Sequence, residues 1–297
     1  MSQSAANVAP HPPQRRLCLR GRAAPLAYFN PLLMLGNLWR RRELTSQFIV
    51  REIQGRYKGS HLGIFWSMAN PLLMLSVFTF VFHYIFKATW TSPGEPVAVY
   101  AMNLYSGMII FNIFSESAAK APMLITGNPN FVKKVVFPLE ILPVSLIGSA
   151  LFHAILSLLI LLIVSCACGL TPHWTLLYLP VVLLPMLLLT AGVCWLLAAL
   201  GVFLRDTGQV IGIVVQLLFF ITPVCYPMSR LKDSPVLYRI MLCNPLAVLV
   251  ESFRQVVNAG APPDWPSFGL TTLFCIFVAV GGYAWFMTLK RAFADVI

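Results

Sequence analysis

Arg51, Arg56 and Lys58, in the stretch REIQGRYKGS, are the side chains best suited to holding an anion, because guanidinium and ammonium groups form charge-assisted bonds to phosphate oxygens. Catalytic sets are missing. The patterns GxxxxGK(S/T), HExxH and GxSxG do not occur, so ATP is not bound through a P-loop and no metalloprotease or hydrolase signature is present. The ten acidic residues are scattered, and none forms a cluster with histidine. His153 is the main titratable side chain inside an apolar run and is expected to be hydrogen-bonded packing rather than a proton relay. Seven cysteines lie mostly in apolar runs, where they read as small packing residues; neither a metal site nor a disulfide framework is expected.

Aromatic residues are dense between positions 78 and 86. Phe78, Phe82 and Phe86 share one helical face by their four-residue spacing, and Phe80 and Tyr84 share another. Such faces could flank a passage for sugars, whose C–H surfaces pack on rings, or could serve as packing and lipid contact. Lys120, Lys133 and Lys134 sit in the long segment SESAAKAPMLITGNPNFVKKVVFPLE, whose short amphipathic pieces could dock a cytoplasmic protein. Gly208 and Gly212 form a GxxxG, which permits close helix approach and dimerisation.

The elements that must position these residues belong to a bilayer. The chain is 58% hydrophobic and 10% charged, with a mean hydropathy of +0.78, and its apolar runs suit helices that need roughly 20 residues to cross. Alternating ten-residue strands are absent, so the fold class is an all-α integral membrane protein rather than a barrel. Six crossings are expected, at about 62 to 86, 97 to 115, 139 to 166, 176 to 203, 209 to 226 and 267 to 289. With both termini in the cytoplasm, only Lys87, Arg230, Lys232, Arg239 and Arg254 of the 21 Lys and Arg residues fall outside, which satisfies the positive-inside rule.

Residues 1–29 read as a disordered, uncleaved, basic and Pro-rich tail. Residues 30–61 read as an amphipathic segment on the inner membrane surface, and 62–297 as the six-helix domain. NPLLML occurs at 30–35 and 70–75. The residues after the two copies differ, charged in one case and apolar in the other, so the first copy belongs to the surface segment and the second to a crossing. Asn before Pro is a helix-start signal, so each copy is expected to begin or to kink a helix. Between the fifth and sixth crossings, the pieces 236–243 and 246–257 are too short to span and are expected to be outer re-entrant helices, within about 230 to 260.

Three stretches resemble one known family. REIQGRYKGSHLGIFWSMANPLLML, LRDTGQVIGIVVQLLFFITPVCYP and NPLAVLVESFRQ look like the permease subunits of ABC transporters that export O-antigen, capsule or teichoic acid. The resemblance covers roughly residues 30–290 and implies a six-helix subunit that pairs with a second copy and two separate ATPase subunits. ATP and Mg would be bound there, and no cofactor by this chain. It further implies an amphipathic interface helix at about 31 to 54, a coupling segment for the ATPase at about 118 to 138 containing Lys120, Lys133 and Lys134, and outer helices that help close a channel. The implied cargo is a polysaccharide on a polyprenyl diphosphate, whose headgroup Arg51, Arg56 and Lys58 would engage, moved across the inner membrane. No nucleic-acid partner is expected. Fold does not set cargo, so a smaller lipid or drug stays open for the same fold. An ion-coupled secondary transporter and a membrane-embedded transferase are the other classes; the first would work without an ATPase, the second would need a catalytic constellation.

Overall fold

The computed structural model describes residues 30–58, 65–90, 92, 94–133, 137–170 and 172–296, and among these every regular element is helical. The tail 1–29, Leu62 and Gly63 of the first resembling stretch, and Lys134 lie outside the described residues.

Asn30 starts α1 (Pro31–Arg40): its side-chain oxygen accepts the Leu32 N–H at 2.9 Å, and Pro31 occupies the first turn. After a break at Arg41 comes α2 (Arg42–Tyr57). The second NPLLML copy behaves differently, because Pro71 lies inside α3 (Phe65–Thr79), which passes into a π-helical stretch, Phe80–Ile85. Next come α4 (Val97–Lys120), a 3-10 turn at Ala121–Met123, α5 (Pro129–Lys133) and α6 (Ile141–Ala167). A 3-10 turn, Trp174–Tyr178, leads into α7 (Leu179–Phe203), which is succeeded by α8 (Thr207–Ile221). The chain ends with α9 (Pro235–Leu242), α10 (Pro245–Arg254) with a π-helical turn Gln255–Ala259, α11 (Trp265–Leu289) and α12 (Phe293–Val296).

Four helical stretches among the described residues are long and apolar enough to cross a membrane: Val97–Met123, Ile141–Ala167, Trp174–Phe203 and Trp265–Val296. They coincide with the second, third, fourth and sixth expected crossings. The first and fifth correspond to shorter apolar helices, Pro71–Ile85 and Thr207–Ile221. At 15 residues α8 is about 22 Å long, less than the hydrocarbon thickness of about 30 Å. It stops at Ile221 rather than 226 because Thr222 precedes proline, which disfavours helical backbone; Thr222 is extended, at φ −72° and ψ 138°. Between α9 and α10–Ala259 the axis bends by 91°, and together the two pieces have the length and composition of a fifth span. Asn244 caps α10 by accepting the Leu246 N–H at 3.1 Å.

α4 is the central post. Tyr100, Leu104, Ile110 and Phe111 are buried in a core shared with α6, α7, α8 and α10. A second core joins Met34, Ile125, Leu142, Trp195, Tyr283 and Phe286. The closest helix crossing is between α7 and α11, where a Cβ on Gly192 would overlap the Val278–Ala279 backbone and one on Gly282 would overlap the Gly192 backbone.

Candidate functional site

One end of the helical bundle carries an ion network between α2 and α4. Arg56 Nη1 lies 2.5 Å from Glu116 Oε1, Lys120 Nζ lies 3.1 Å from the same oxygen, and Lys120 approaches Glu52 at 3.9 Å. Burial disfavours the Arg56 charge, but the hydrogen bond and charge of Glu116 prevail, and the guanidinium pKa is raised above its ordinary value. Beside it, the Tyr57 hydroxyl and His153 Nδ1 are 3.1 Å apart, so His153 ties α6 to α2. Gly148 of α6 makes room for Ile49, which lets α2 lie directly on α6 rather than on lipid alone. These elements enclose a cavity of about 230 Å³ lined by Arg56, Trp66, Asn112, Glu116, His153 and Ser157. Its polar walls suit a hydrated, charged or hydroxyl-rich group.

Arg51 and Lys58 are not in that cavity. Arg51 precedes Arg56 by five residues, about 140° around a helix of 3.6 residues per turn. Its guanidinium lies 5.2 Å from the Phe48 ring and 5.4 Å from the Phe131 ring, and reaches toward Asn128 Oδ1 at 3.5 Å. Lys58 is exposed just after α2 and makes no ion pair among the described residues. The three basic residues therefore divide into a cavity residue, a residue packed on the connection between α4 and α6, and a surface charge.

The described residues of the connection between α4 and α6 are tightly seated. Phe131 stacks on Phe137 at 4.6 Å, with Phe48 of α2 at 5.5 and 5.1 Å from the two rings. A Cβ on Gly201 would overlap the Pro122 backbone, so the 3-10 turn rests on the end of α7. Lys120 belongs to the ion network above, and Lys133 lies on α5. Gly208 faces Met123, with an added Cβ 3.2 Å from its methyl, whereas Gly212 faces open space. Neither glycine packs against another helix of this chain as Gly192 and Gly282 do. Glu140, 2% exposed, takes Arg41 and Lys290 as ion partners, the latter at 2.7 Å, and its carbonyl accepts the Trp195 indole N–H at 3.0 Å.

The aromatic faces run from the end of α3 along the π-helical stretch that follows it. Ring centroids are 6.1 Å apart for Phe78–Phe82, 5.8 Å for Phe82–Phe86 and 6.2 Å for Phe80–Tyr84. Phe78 and Phe82 pack on the core, Phe78 at 5.4 Å from Phe219, while Phe80, Tyr84 and Phe86 are exposed. A groove of about 350 Å³ between α3, α4 and α8 is lined by Phe78, Asn112, Ser115, Gln216 and Phe219.

At the other end lies a centre that the charge count hides by grouping Arg254 with loop residues. Arg254 is 2% exposed; Nε donates to the Asn103 carbonyl at 2.9 Å, Nη1 to Pro223 at 2.5 Å and Nη2 to Val224 at 2.5 Å, with Glu251 at 3.4 Å. Asn258 adds bonds to Asn103 Oδ1 at 3.0 Å and Ser106 Oγ at 2.9 Å, and the Tyr100 hydroxyl donates to the Cys225 carbonyl at 3.0 Å. α10 is thereby clamped to α4 and to the segment just past the end of α8. One sequence signal points to it: Arg254 comes after Ala247 and Val250 at seven and four residues, on the apolar face of its helix.

Residues 43–258 match the ABC-2 type transporter family. The chain belongs to this family. In this ABC-2 type transporter the matched region runs from α2 to the π-helical turn after α10, and so includes both the ion network and the Arg254 centre. The chain is also similar to the O-antigen export system permease protein RfbA of Myxococcus xanthus, 29% identical over 78% of this chain and 86% of the relative. A protein of the same name from Klebsiella pneumoniae is 25% identical over 83% of this chain and 92% of its own. The polysialic acid transport protein KpsM of Escherichia coli is 25% identical over 82% and 92% respectively.

Proposed function

We propose that this ABC-2 type transporter is the channel-forming subunit of an ATP-driven exporter that moves polyprenyl-diphosphate-linked polysaccharide, O-antigen in the first place, from the cytoplasm across the inner membrane. The observation that carries this reading is the similarity to O-antigen export permeases over most of the chain. Two copies pair with two ATPase subunits, where ATP and Mg are bound. α3 and α8 complete six crossings with both termini cytoplasmic, and α9 and α10 form a re-entrant pair on the outer side. The pairing surface includes the exposed side of α8 with Gly212.

The headgroup enters the cavity at Arg56, with Arg51 and Lys58 guiding it along the inner surface. A diphosphate competes with Glu116 for the guanidinium, since both offer a pair of anionic oxygens to its fork of N–H donors. The inner loop with Lys120, Lys133 and Lys134 receives the ATPase, whose closure moves α2, the loop and α4 as one body. Phe80, Tyr84 and Phe86 contact sugar rings in transit, with Phe78 and Phe82 holding that face in place. A capsule polysaccharide is the second reading, favoured by the similarity to polysialic acid transport proteins.

The test is purification of the chain with the ATPase encoded beside it, with ATP hydrolysis assayed with and without the polyprenyl-linked polysaccharide. Stimulation by the O-antigen glycolipid supports the first reading and stimulation by a capsule lipid the second. A chain that forms no complex and transports without ATP would sink both.

A further inference from the structure

A groove of about 770 Å³ runs between the α9–α10 turn and α11, lined by Leu242, Cys243, Leu270, Leu273, Phe274 and Phe277 among others. Leu270, Leu273 and Phe277 are the most open of these, at 73, 65 and 74% exposure. The α11 residues from Leu270 to Phe277 lie roughly 8 to 18 Å along the helix from its outer end at Trp265, the depth of acyl chains in the outer half of a bilayer. Arg239 precedes Leu242 by three residues and Cys243 by four, the spacing that puts side chains on one helical face. It is exposed, and among the described residues it has no ion partner.

We propose that this groove holds a phospholipid of the outer leaflet, its acyl chain against Leu242, Leu270, Leu273 and Phe277 and its phosphate at Arg239. Charge and depth select this occupant. The walls offer tails an apolar bed with only the Thr271 hydroxyl and the Cys243 thiol as polar groups. Arg239 stands a turn back from the bend, on a stem long enough to snorkel toward the phosphates. A single guanidinium matches one phosphodiester, and the lining residues carry no donor set for sugars. A chain seated there packs the outside of the turn that Asn244 ties to Thr222 at 3.4 Å, at the start of the helix whose far end Arg254 clamps, so the lipid becomes part of the outer closure.

The protein's own cysteines supply the test. Cys243, Cys166 and Cys168 are exposed, whereas Cys194, Cys225 and Cys275 are buried. Alkylation of the purified transporter by N-ethylmaleimide is monitored by mass spectrometry in detergent while phosphatidylglycerol is added. Protection of Cys243, with Cys166 and Cys168 unaffected, is the expected result. Arg239→Gln raises the half-protecting lipid concentration about fivefold, the worth of one basic residue toward an anionic lipid. Leu273→Trp, which fills the groove, slows Cys243 without added lipid. Equal Cys243 rates with and without lipid, identical curves for wild type and Arg239→Gln, or protection by the polyprenyl glycolipid alone would overturn the proposal. It rests on the outward placement of this loop, which a membrane-impermeant maleimide tests on intact cells. Unlabelled Cys166 and Cys168 overturn that placement; labelled ones, with Cys243 unprotected by lipid, overturn the groove assignment alone.

Discussion

The Arg254 guanidinium lies 4.4 Å from the centroid of the Trp90 ring, on a residue a few positions past α3 and its π-helical end. Through this contact and its carbonyl bonds, one side chain joins α4 to the ends of α3, α8 and α10. Pro223 and Val224 lie past the end of α8, where regular helix has stopped and buried carbonyls need donors, whereas Asn103 lies about two turns into α4.

Replacing Arg254 with Ala leaves the Pro223 and Val224 carbonyls without their donor, while the Asn103 carbonyl keeps the Ser106 hydroxyl at 2.9 Å, at a cost of about 3 kcal/mol. Arg254→Lys keeps the charge but not the fork that reaches three acceptors, and recovers less than half of the loss. Thermal unfolding of purified protein, read by size exclusion after heating, orders the three as wild type, Lys, Ala. Lysine equal to wild type would mean that charge alone matters.

Glu140 is the corresponding keystone at the opposite end of the bundle. Glu140→Ala leaves Arg41 and Lys290 without their shared partner and is expected to destabilise by about 3 kcal/mol. Because Arg41 stands between α1 and α2, limited proteolysis should cut faster between residues 30 and 42 in the variant. Unchanged cleavage there would show that α1 is held by Met34 and Leu38 packing instead.

The Arg56–Glu116 pair separates structure from transport. Arg56→Gln raises the glycolipid concentration for half-maximal ATPase stimulation about tenfold, the worth of a charge-assisted hydrogen bond. The exchange Arg56→Glu with Glu116→Arg restores the ion pair and the thermal stability but not the stimulation, because the cation has moved to α4. Full stimulation in the exchanged protein would reduce Arg56 to a purely structural role.

Two glycines predict opposite outcomes. Gly192→Ala drives a methyl into the α11 backbone and should cost about 2 kcal/mol or more, lowering the yield of folded protein. Gly212→Ala meets nothing within 4 Å and leaves the stability of the single chain unchanged. If it weakens self-association in cross-linking, the pairing of two copies runs through α8; if it does not, the GxxxG has no packing role.

Much of the scaffold is legible because its determinants are local. Asn30–Pro31 starts a helix through a cap made two residues away, and the runs at 141–167 and 265–289 are apolar for longer than any soluble helix needs. Pro71 lies inside a helix, as its place within the expected crossing at 62 to 86 requires, because the apolar run around it outweighs the start signal of the dipeptide. Arg51, Arg56 and Lys58 read as one basic cluster along the chain, yet helical rotation and separate partners divide them.

What the sequence by itself determined is the solvent and the secondary structure: hydropathy selects the bilayer, and the bilayer demands helices. Tertiary structure alone decided which charges are engaged. Glu116, Glu140 and Arg254 find partners 30 to 151 residues away, and Gly192 meets Gly282 across a helix crossing. Their selection comes from the cost of leaving a polar group unpaired where water is excluded, a cost set by what surrounds the group in space rather than by its neighbours along the chain.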